Sequence, residues 1–301
     1  MVSKLSVAAA LLAVGLTTPV FADSSSPLLA AYYDRQMAIV GGAVYAWKGD
    51  REPKKIPVKG AVQVGIGTET HYVLTVDGTL LGFQDDPARP LRLMSGVSRF
   101  AAGASGVLAI RADRSLWWIG GLSGDVRKLA DKVVVAAVGD GANYYVTETG
   151  ALYVKGKANR GQYGDGRLRT TRDFVQTASE VIQIRAHTGH AILLKKSGDV
   201  MGTGGNIYGP VGRHGLGDKA VRWSKIMSGA RAIATGSSHS LAIGRNGNLM
   251  AWGRGYSAEP APILTGVAAV AAGSSTTIAI KDDGSLWQWT TGETPRQLLA
   301  R

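Results

Sequence analysis

One pattern recurs seven times along the chain, and this repetition constrains the fold more than any other feature. Residues 236–252 read GSSHSLAIGRNGNLMAW, and residues 273–289 read GSSTTIAIKDDGSLWQW. If one turn residue serves as the anchor of each copy, the equivalent positions are Gly42, Gly78, Arg114, Gly150, Gly198, Gly247 and Gly284. Most copies are 36 or 37 residues apart, and the steps that end at Gly198 and Gly247 are 48 and 49 residues long. A regular period of this length indicates a repeat architecture.

Other positions of the repeat keep their chemical character in every copy. Two residues after the anchor, all seven copies have an apolar residue: Val44, Leu80, Leu116, Leu152, Val200, Leu249 and Leu286. Eleven residues before it, five copies have a glycine, and Ala31 and His187 occupy the other two. A glycine in a strand pattern marks a close approach of two backbones. The shared columns predict that the seven copies have the same local structure.

Each copy has the pattern of short antiparallel strands. Apolar and polar residues alternate on both sides of a turn such as DDG or RNG, where glycine tolerates a positive φ. One apolar segment precedes this hairpin and a proline-marked segment follows it, which gives four strands per copy. We therefore predict an all-β fold, a seven-bladed β-propeller of four-stranded blades that forms a single domain over residues 23–301. A closed ring is favoured over an open solenoid, because the terminal copies carry the same columns as the rest.

The N-terminal segment differs in composition from the repeats. Residues 1–22 combine a short basic start, the apolar run LSVAAALLAVGL and small residues before Asp23. This order is typical of a secretory signal peptide that is cleaved after Ala22. The apolar run is shorter than the roughly 17–25 residues that a membrane-spanning helix needs. We expect an exported bacterial protein, either periplasmic or secreted.

The repeat resembles a known family. The stretch GSSHSLAIGRNGNLMAWG, residues 236–253, is similar to the repeats of the regulator of chromosome condensation family. Residues 156–166, GKANRGQYGDG, look like a loop of that family, with Ala158 in place of asparagine and Tyr163 in place of leucine. Residues 204–218 are a weaker version of the same loop. The resemblance covers about residues 24–301 and implies a seven-bladed propeller. Secreted relatives of this type, including an inhibitor of β-lactamases, bind their target with the loops of one face.

The sequence contains no recognisable catalytic or metal-binding motif. The chain has no cysteine, which excludes disulfides, thiolate nucleophiles and cysteine metal ligands. His187 and His190 are three residues apart and point to opposite faces of a strand, whereas His190 and His239 occupy the same repeat position and suit a framework role. The acidic pair Asp282 and Asp283 lies in a predicted turn, where aspartate serves the turn itself. We predict no enzymatic activity, no metal and no cofactor.

The basic residues are the strongest indication of a binding surface. The chain has a formal net charge of +12, and residues 155–172, around the first long connection, hold six basic side chains and one acidic side chain. Loops on a rigid scaffold often carry binding residues, and Arg and Tyr are enriched at the centres of interfaces. The predicted partner-binding residues are Lys155, Lys157, Arg160, Tyr163, Arg167, Arg169, Arg172, Tyr208, Arg213 and His214.

Three functions remain open at this point. The first is a non-enzymatic protein that binds another protein, one with an acidic face, through the loops of one face of the propeller. The second is a protein that binds a polyanion, such as an envelope glycolipid, a wall polymer or DNA. The third is a lyase or hydrolase with its site at the mouth of the central channel. The same basic loops also suit a solvated surface without a partner.

Overall fold

The structure is a computed structural model that describes residues 28–84, 86–122, 124–212 and 216–300. These residues form 28 strands in seven separate four-stranded antiparallel sheets, and no helix lies within these ranges. The predicted all-β fold of seven four-stranded blades is confirmed. The expected signal peptide, residues 1–22, lies outside the described residues. Within the described ranges, no helix is long and apolar enough to cross a membrane.

Every blade consists of four consecutive strands that pair in chain order. The first strands are β1 (Leu29–Tyr32), β5 (Ala61–Ile66), β9 (Val97–Gly103), β13 (Val133–Val138), β17 (Val181–Ala186), β21 (Ala230–Thr235) and β25 (Val267–Ala272). The second strands are β2 (Arg35–Val40), β6 (His71–Thr75), β10 (Gly106–Arg111), β14 (Ala142–Thr147), β18 (His190–Lys195), β22 (His239–Gly244) and β26 (Thr276–Lys281). The third strands are β3 (Ala43–Lys48), β7 (Leu80–Phe83), β11 (Leu116–Ile119), β15 (Leu152–Ala158), β19 (Val200–Gly205), β23 (Leu249–Gly253) and β27 (Leu286–Thr290). The fourth strands are β4 (Lys54–Ile56), β8 (Leu91–Met94), β12 (Val126–Ala130), β16 (Arg169–Ala178), β20 (Lys219–Met227), β24 (Ala261–Leu264) and β28 (Arg296–Leu299).

The first strands form the inner wall of a closed ring. Each of them contacts the first strand of the next blade, and β25 contacts β1. The apolar columns of the repeat lie between neighbouring blades, where they form the hydrophobic core. At the junction of blades 7 and 1, for example, Leu29 and Trp47 pack with Ile278 and Leu286. Burial of these columns on both faces of every sheet is the main stabilising contribution.

Side chains also bridge the inner edges of neighbouring blades. The innermost strand of a blade has one edge without a strand partner, so its backbone groups need other partners. Gln183 supplies them between blades 5 and 6: its Oε1 accepts from the Ile233 N–H at 3.2 Å, and its Nε2 donates to the Arg231 carbonyl at 3.4 Å. Gln63 does the same for both backbone groups of Phe100.

The glycine column of the repeat needs one correction. A Cβ at Gly236 would lie 2.6 Å from the carbonyl oxygen of Gly273 in the next blade, so the close approach of backbones is real. In blade 1, however, the residue in this position is Tyr33 rather than Ala31. The reason is a difference in turn length: the turn between β1 and β2 contains only residues 33–34, whereas the corresponding turn of blade 2 contains residues 67–70. Tyr33 adopts a φ of 51°, in the left-handed region that favours glycine.

Candidate functional site

Both long connections lie on one face of the propeller. In a sheet whose strands pair in chain order, the connection between the first and second strands and the connection between the third and fourth strands are at the same end. We call this end of the ring the loop face. The two long segments, residues 159–168 and 206–218, connect β15 to β16 and β19 to β20, so both belong to it.

The long connection of blade 4 clamps blade 5. The Gly166 N–H donates to the Val221 carbonyl at 2.8 Å, and the Trp223 N–H donates to the Gly164 carbonyl at 3.2 Å. The hydroxyl of Thr203 in β19 also donates to the Gly161 carbonyl at 2.8 Å. The connection therefore extends the sheet of blade 5 locally and is held along most of its length.

The long connection of blade 5 clamps blade 6 in the same way. The Pro210 carbonyl accepts two buried hydrogen bonds of 2.8 Å, one from the Ser240 hydroxyl and one from the indole N–H of Trp252. Asn206 closes the connection on itself, because its side-chain amide donates to the Gly217 carbonyl at 3.2 Å. Each clamp fixes the loop and joins two neighbouring blades.

The side chains of three predicted binding residues contact other groups of blade 4. Tyr163 is fully buried, with its hydroxyl donating to the Gly156 carbonyl at 2.9 Å, so it is not accessible to a partner, contrary to its prediction as a binding residue. Arg169 forms a 2.5 Å ion pair with Asp165 and lies over the Tyr163 ring. The Lys155 ammonium lies 4.6 Å from the centre of the Phe174 ring, and burial, together with the nearby Arg127 guanidinium, lowers the pKa of Lys155.

The other predicted residues are exposed or undescribed. Lys157, Arg160, Arg167 and Arg172 are exposed, and Arg213 and His214 lie outside the described residues. Arg160 crosses onto blade 5, because a Cβ at Gly189 would lie 2.9 Å from one of its guanidinium nitrogens and a Cβ at Gly205 would lie 3.4 Å from its Cδ.

Ile207 and Arg254, which the sequence did not single out, complete a patch on the loop face around the predicted residue Tyr208. Tyr208 is 50% exposed, and the guanidinium of Arg254 from blade 6 lies 5.1 Å from the centre of its ring. Ile207 is 70% exposed beside it. Arg160 borders the same strand end at Gly205, so we define the docking patch as Arg160, Ile207, Tyr208 and Arg254. In the sequence, the isoleucine of the NIYG segment, residues 206–209, is the feature that could have indicated this patch.

A second cluster closes the central channel on the loop face. The Tyr32 hydroxyl of blade 1 donates to Asp140 of blade 4 at 2.7 Å, and the Tyr32 ring stacks on His187 of blade 5 at 5.3 Å. Tyr33 packs edge-on against Tyr32 at 4.8 Å and lies 6.1 Å from His187. Since blade 1 is not adjacent to blade 4 or blade 5, these contacts span the channel. Burial and the bond to Asp140 raise the pKa of the Tyr32 hydroxyl.

A cavity of about 400 Å³ lies behind this closure. Residues of the first strands of all seven blades line it, most of them alanine or valine, and Tyr32 and His187 form its wall at the loop face. Two arginines, Arg99 and Arg185, also line it.

His190 and His239 have framework contacts. The Nε2 atom of His190 lies 2.9 Å from the Ser240 hydroxyl, and that of His239 lies 3.2 Å from the Thr277 hydroxyl, so each links its blade to the next. Burial, with a smaller contribution from neighbouring histidines, lowers the pKa of both rings to about 3. Among the described residues, no group of three or more histidine, aspartate or glutamate side chains is placed to hold a metal ion.

Comparisons with known proteins confirm the resemblance noted in the sequence. Residues 230–258 match the model of the regulator of chromosome condensation (RCC1) repeat. The human regulator of chromosome condensation is 30% identical over 117 residues, which are 36% of this chain and 27% of that protein. The ultraviolet-B receptor UVR8 of Arabidopsis thaliana is 25% identical over 209 residues, 60% of this chain and 47% of that protein. The chain thus spans less than half the length of these curated relatives.

Solved structures of low sequence identity share the fold. Prp20p from Saccharomyces cerevisiae superposes with a TM-score of 0.72 at 18% identity and covers 85% of this chain and 83% of its own. Human WBSCR16 superposes with a TM-score of 0.71 at 16% identity and covers 84% of this chain and 86% of its own.

Proposed function

We propose that this propeller of RCC1-type repeats is an exported, non-enzymatic protein that binds a second protein on its loop face, through the docking patch. The observation that carries the proposal is the exposed pair Ile207 and Tyr208, which the clamped connection of blade 5 presents beside Arg254, with Arg160 close to the adjacent Gly205. Aromatic and arginine side chains dominate binding energies at interface centres. Prp20p, which shares the fold, binds Gsp1p and histones.

The clamps favour tight docking. A partner that binds a mobile loop must order it, and this ordering reduces the affinity. Here the hydrogen bonds to the Pro210 carbonyl and to the Gly161 carbonyl already hold the loops in place. Lys157, near the end of β15, and Arg167, in the connection that follows it, are exposed cations on the loop face. Their positive charge would steer a partner with an acidic face toward the patch.

A comparison of matched variants tests the proposal. Wild type, Ile207→Ser/Tyr208→Ser and the control Val76→Ser/Val126→Ser are immobilised and exposed to envelope and secreted fractions at about 0.05 M and about 0.5 M salt. Val76 and Val126 are exposed apolar residues outside the patch, so the control removes similar surface. We expect wild type and control to retain one discrete protein at high salt. The patch variant is expected to bind this protein at least about 30-fold more weakly.

Two outcomes would contradict this function. If all three proteins capture only lipid, glycan or nucleic acid, and only at low salt, then the protein binds polyanions through its charge. If the patch variant retains the partner as well as the control does, then docking takes place elsewhere on the molecule.

The proposed export is tested separately. The support for it is the order of basic, apolar and small residues in positions 1–22. Intact-mass measurement of the protein recovered from a secreting bacterial host is expected to show a chain that starts at Asp23, and recovery of the uncleaved chain from the cytoplasm would refute export.

A further inference from the structure

The turns that surround the channel mouth have a distinctive chemistry. They connect the first and second strands of the seven blades and comprise residues 33–34, 67–70, 104–105, 139–141, 187–189, 236–238 and 273–275. Although the protein is strongly basic, these seven turns contain no lysine and no arginine. They are rich in hydroxyl groups: Thr68, Thr70, Ser105, Thr188, Ser237, Ser238, Ser274 and Ser275. Their charged residues are Asp34, Glu69 and Asp140.

Tyr33 places an aromatic ring in the middle of these turns. Tyr33 adopts a left-handed φ of 51°, which the glycines that occupy the same position in five other blades do not adopt. A bulky residue in this conformation costs free energy, and such strain concentrates at functional sites. The ring reaches across the channel to His187 and is nevertheless 45% exposed, so one aromatic surface is available at the centre of the loop face.

Hydrogen-bond donors and acceptors surround this ring. Asp140 accepts from Tyr32, and the Thr188 and Ser274 hydroxyls each lie within 3.4 Å of the Ser237 hydroxyl. The Thr188 N–H donates to Nδ1 of His187, so the proton of the neutral ring is on Nε2. This Nε2 atom is buried and has no hydrogen-bond partner among the described residues, which makes it a donor that lacks an acceptor.

We propose that the channel mouth binds a saccharide, with one pyranose ring stacked on Tyr33 and its hydroxyls bonded to Asp140, Thr188 and Ser237. A pyranose has an apolar face of C–H groups and a rim of hydroxyls that both donate and accept. An exposed tyrosine ring within a rim of hydroxyl and carboxylate groups matches both features. Glu69 and Asp140 disfavour an anionic ligand at the mouth, whereas the third acidic turn residue, Asp34, is paired with Lys48 at 3.4 Å. The saccharide site borders the docking patch, because Arg160 lies against Gly189 and the Arg254 N–H donates to the Ser238 carbonyl, but its ligand-binding side chains are different ones.

The test measures sugar binding and folding in the same variants. Ligand-observed saturation-transfer NMR is carried out on the full mature chain with methyl glucoside, methyl galactoside and N-acetylglucosamine as probes. We expect saturable binding of at least one probe, a loss of at least about tenfold in affinity for Tyr33→Gly, and a change below about twofold for Tyr33→Phe. The control Tyr208→Ala lies in the docking patch and leaves sugar binding unchanged.

The glycine variant separates a binding role from a structural one. Because glycine adopts a φ of 51° without strain, Tyr33→Gly is expected to keep or raise the melting temperature while it loses the sugar. A lowered melting temperature with unchanged sugar binding would show that Tyr33 stabilises the fold and does not bind the sugar, which would refute the proposal. Binding of tetramethylammonium, with none of the three sugars bound, would overturn the proposal in favour of a site for organic cations. Failure of all probes to bind would also overturn it.

Discussion

Acid lability is the property that the structure predicts most sharply. His190 and His239 are each 1% exposed, and burial lowers the pKa of both from about 6.5 in the unfolded chain to about 3 in the folded chain. Below pH 6.5 the unfolded state therefore binds two protons that the folded state does not. Stability is complete above pH 6.5 and falls as the pH decreases toward 3.

The magnitude follows from the pKa difference. Each histidine contributes about 1.4 kcal/mol of lost stability per pH unit below 6.5, so the two together lower the free energy of unfolding by about 4 kcal/mol between pH 7 and pH 5. Burial shifts the pKa of His187 in the same direction, which adds to the loss. This is a large fraction of the roughly 5–15 kcal/mol that stabilises a typical domain.

Urea unfolding at equilibrium at pH 7 and pH 5 measures the effect. The variant His190→Gln/His239→Gln keeps polar side chains that do not titrate, so we expect it to lose at most about half as much stability as wild type over this interval. If that variant does not fold, the pKa values of the two rings can be measured by NMR in wild type. A loss below about 1 kcal/mol in wild type, or histidine pKa values near 6.5, would refute the reasoning.

Two further predictions concern buried amides. Gln36 is fully buried, and its side-chain amide has no hydrogen-bond partner among the described residues, while Leu108 and Leu241 occupy the same position in other blades. Gln36→Leu is therefore expected to stabilise the fold by about 1–2 kcal/mol. An unchanged or lower urea midpoint would contradict this. Gln183→Val leaves the Ile233 N–H without its acceptor and is expected to cost about 1–3 kcal/mol, whereas a cost below about 0.5 kcal/mol would show that the bridge between blades 5 and 6 contributes little.

The repeat pattern predicted the blades well because it records local structure. The alternation of residues, the turn glycines and the apolar columns depend on contacts within one blade or between neighbours, and each of the seven sheets formed as expected. The comparison of columns failed in blade 1, where a shorter turn moves the register by two residues. A fixed spacing from the anchor assigned Ala31 to the position that Tyr33 occupies.

The site was harder to predict because it depends on contacts that the repeat does not encode. The basic and aromatic composition of the long loops indicated a binding surface, yet composition cannot show that Tyr163 turns inward to bond the Gly156 carbonyl. Likewise, Tyr32 and Asp140 are 108 residues apart and meet only because the ring closes. Within the described ranges, no other blade has an equivalent pair, so the sequence carries no periodic signal for it.

The cross-channel contacts also bear on how the ring stays closed. Every blade uses four consecutive strands, so no strand is shared between blade 7 and blade 1. Their junction depends on side chains and on a backbone bond in which the Ser274 N–H donates to the Tyr33 carbonyl at 3.0 Å. The indole N–H of Trp47 donates to Gln288 at 2.6 Å, and Gln288 in turn donates to the Gly49 carbonyl at 3.0 Å. In addition to these bonds between neighbouring blades, the hydrogen bond from Tyr32 to Asp140 attaches blade 1 to the far wall of the channel. The strained turn at Tyr33 thus follows from a short connection that directs two tyrosines across the channel, where one holds the ring together and the other remains exposed for a ligand.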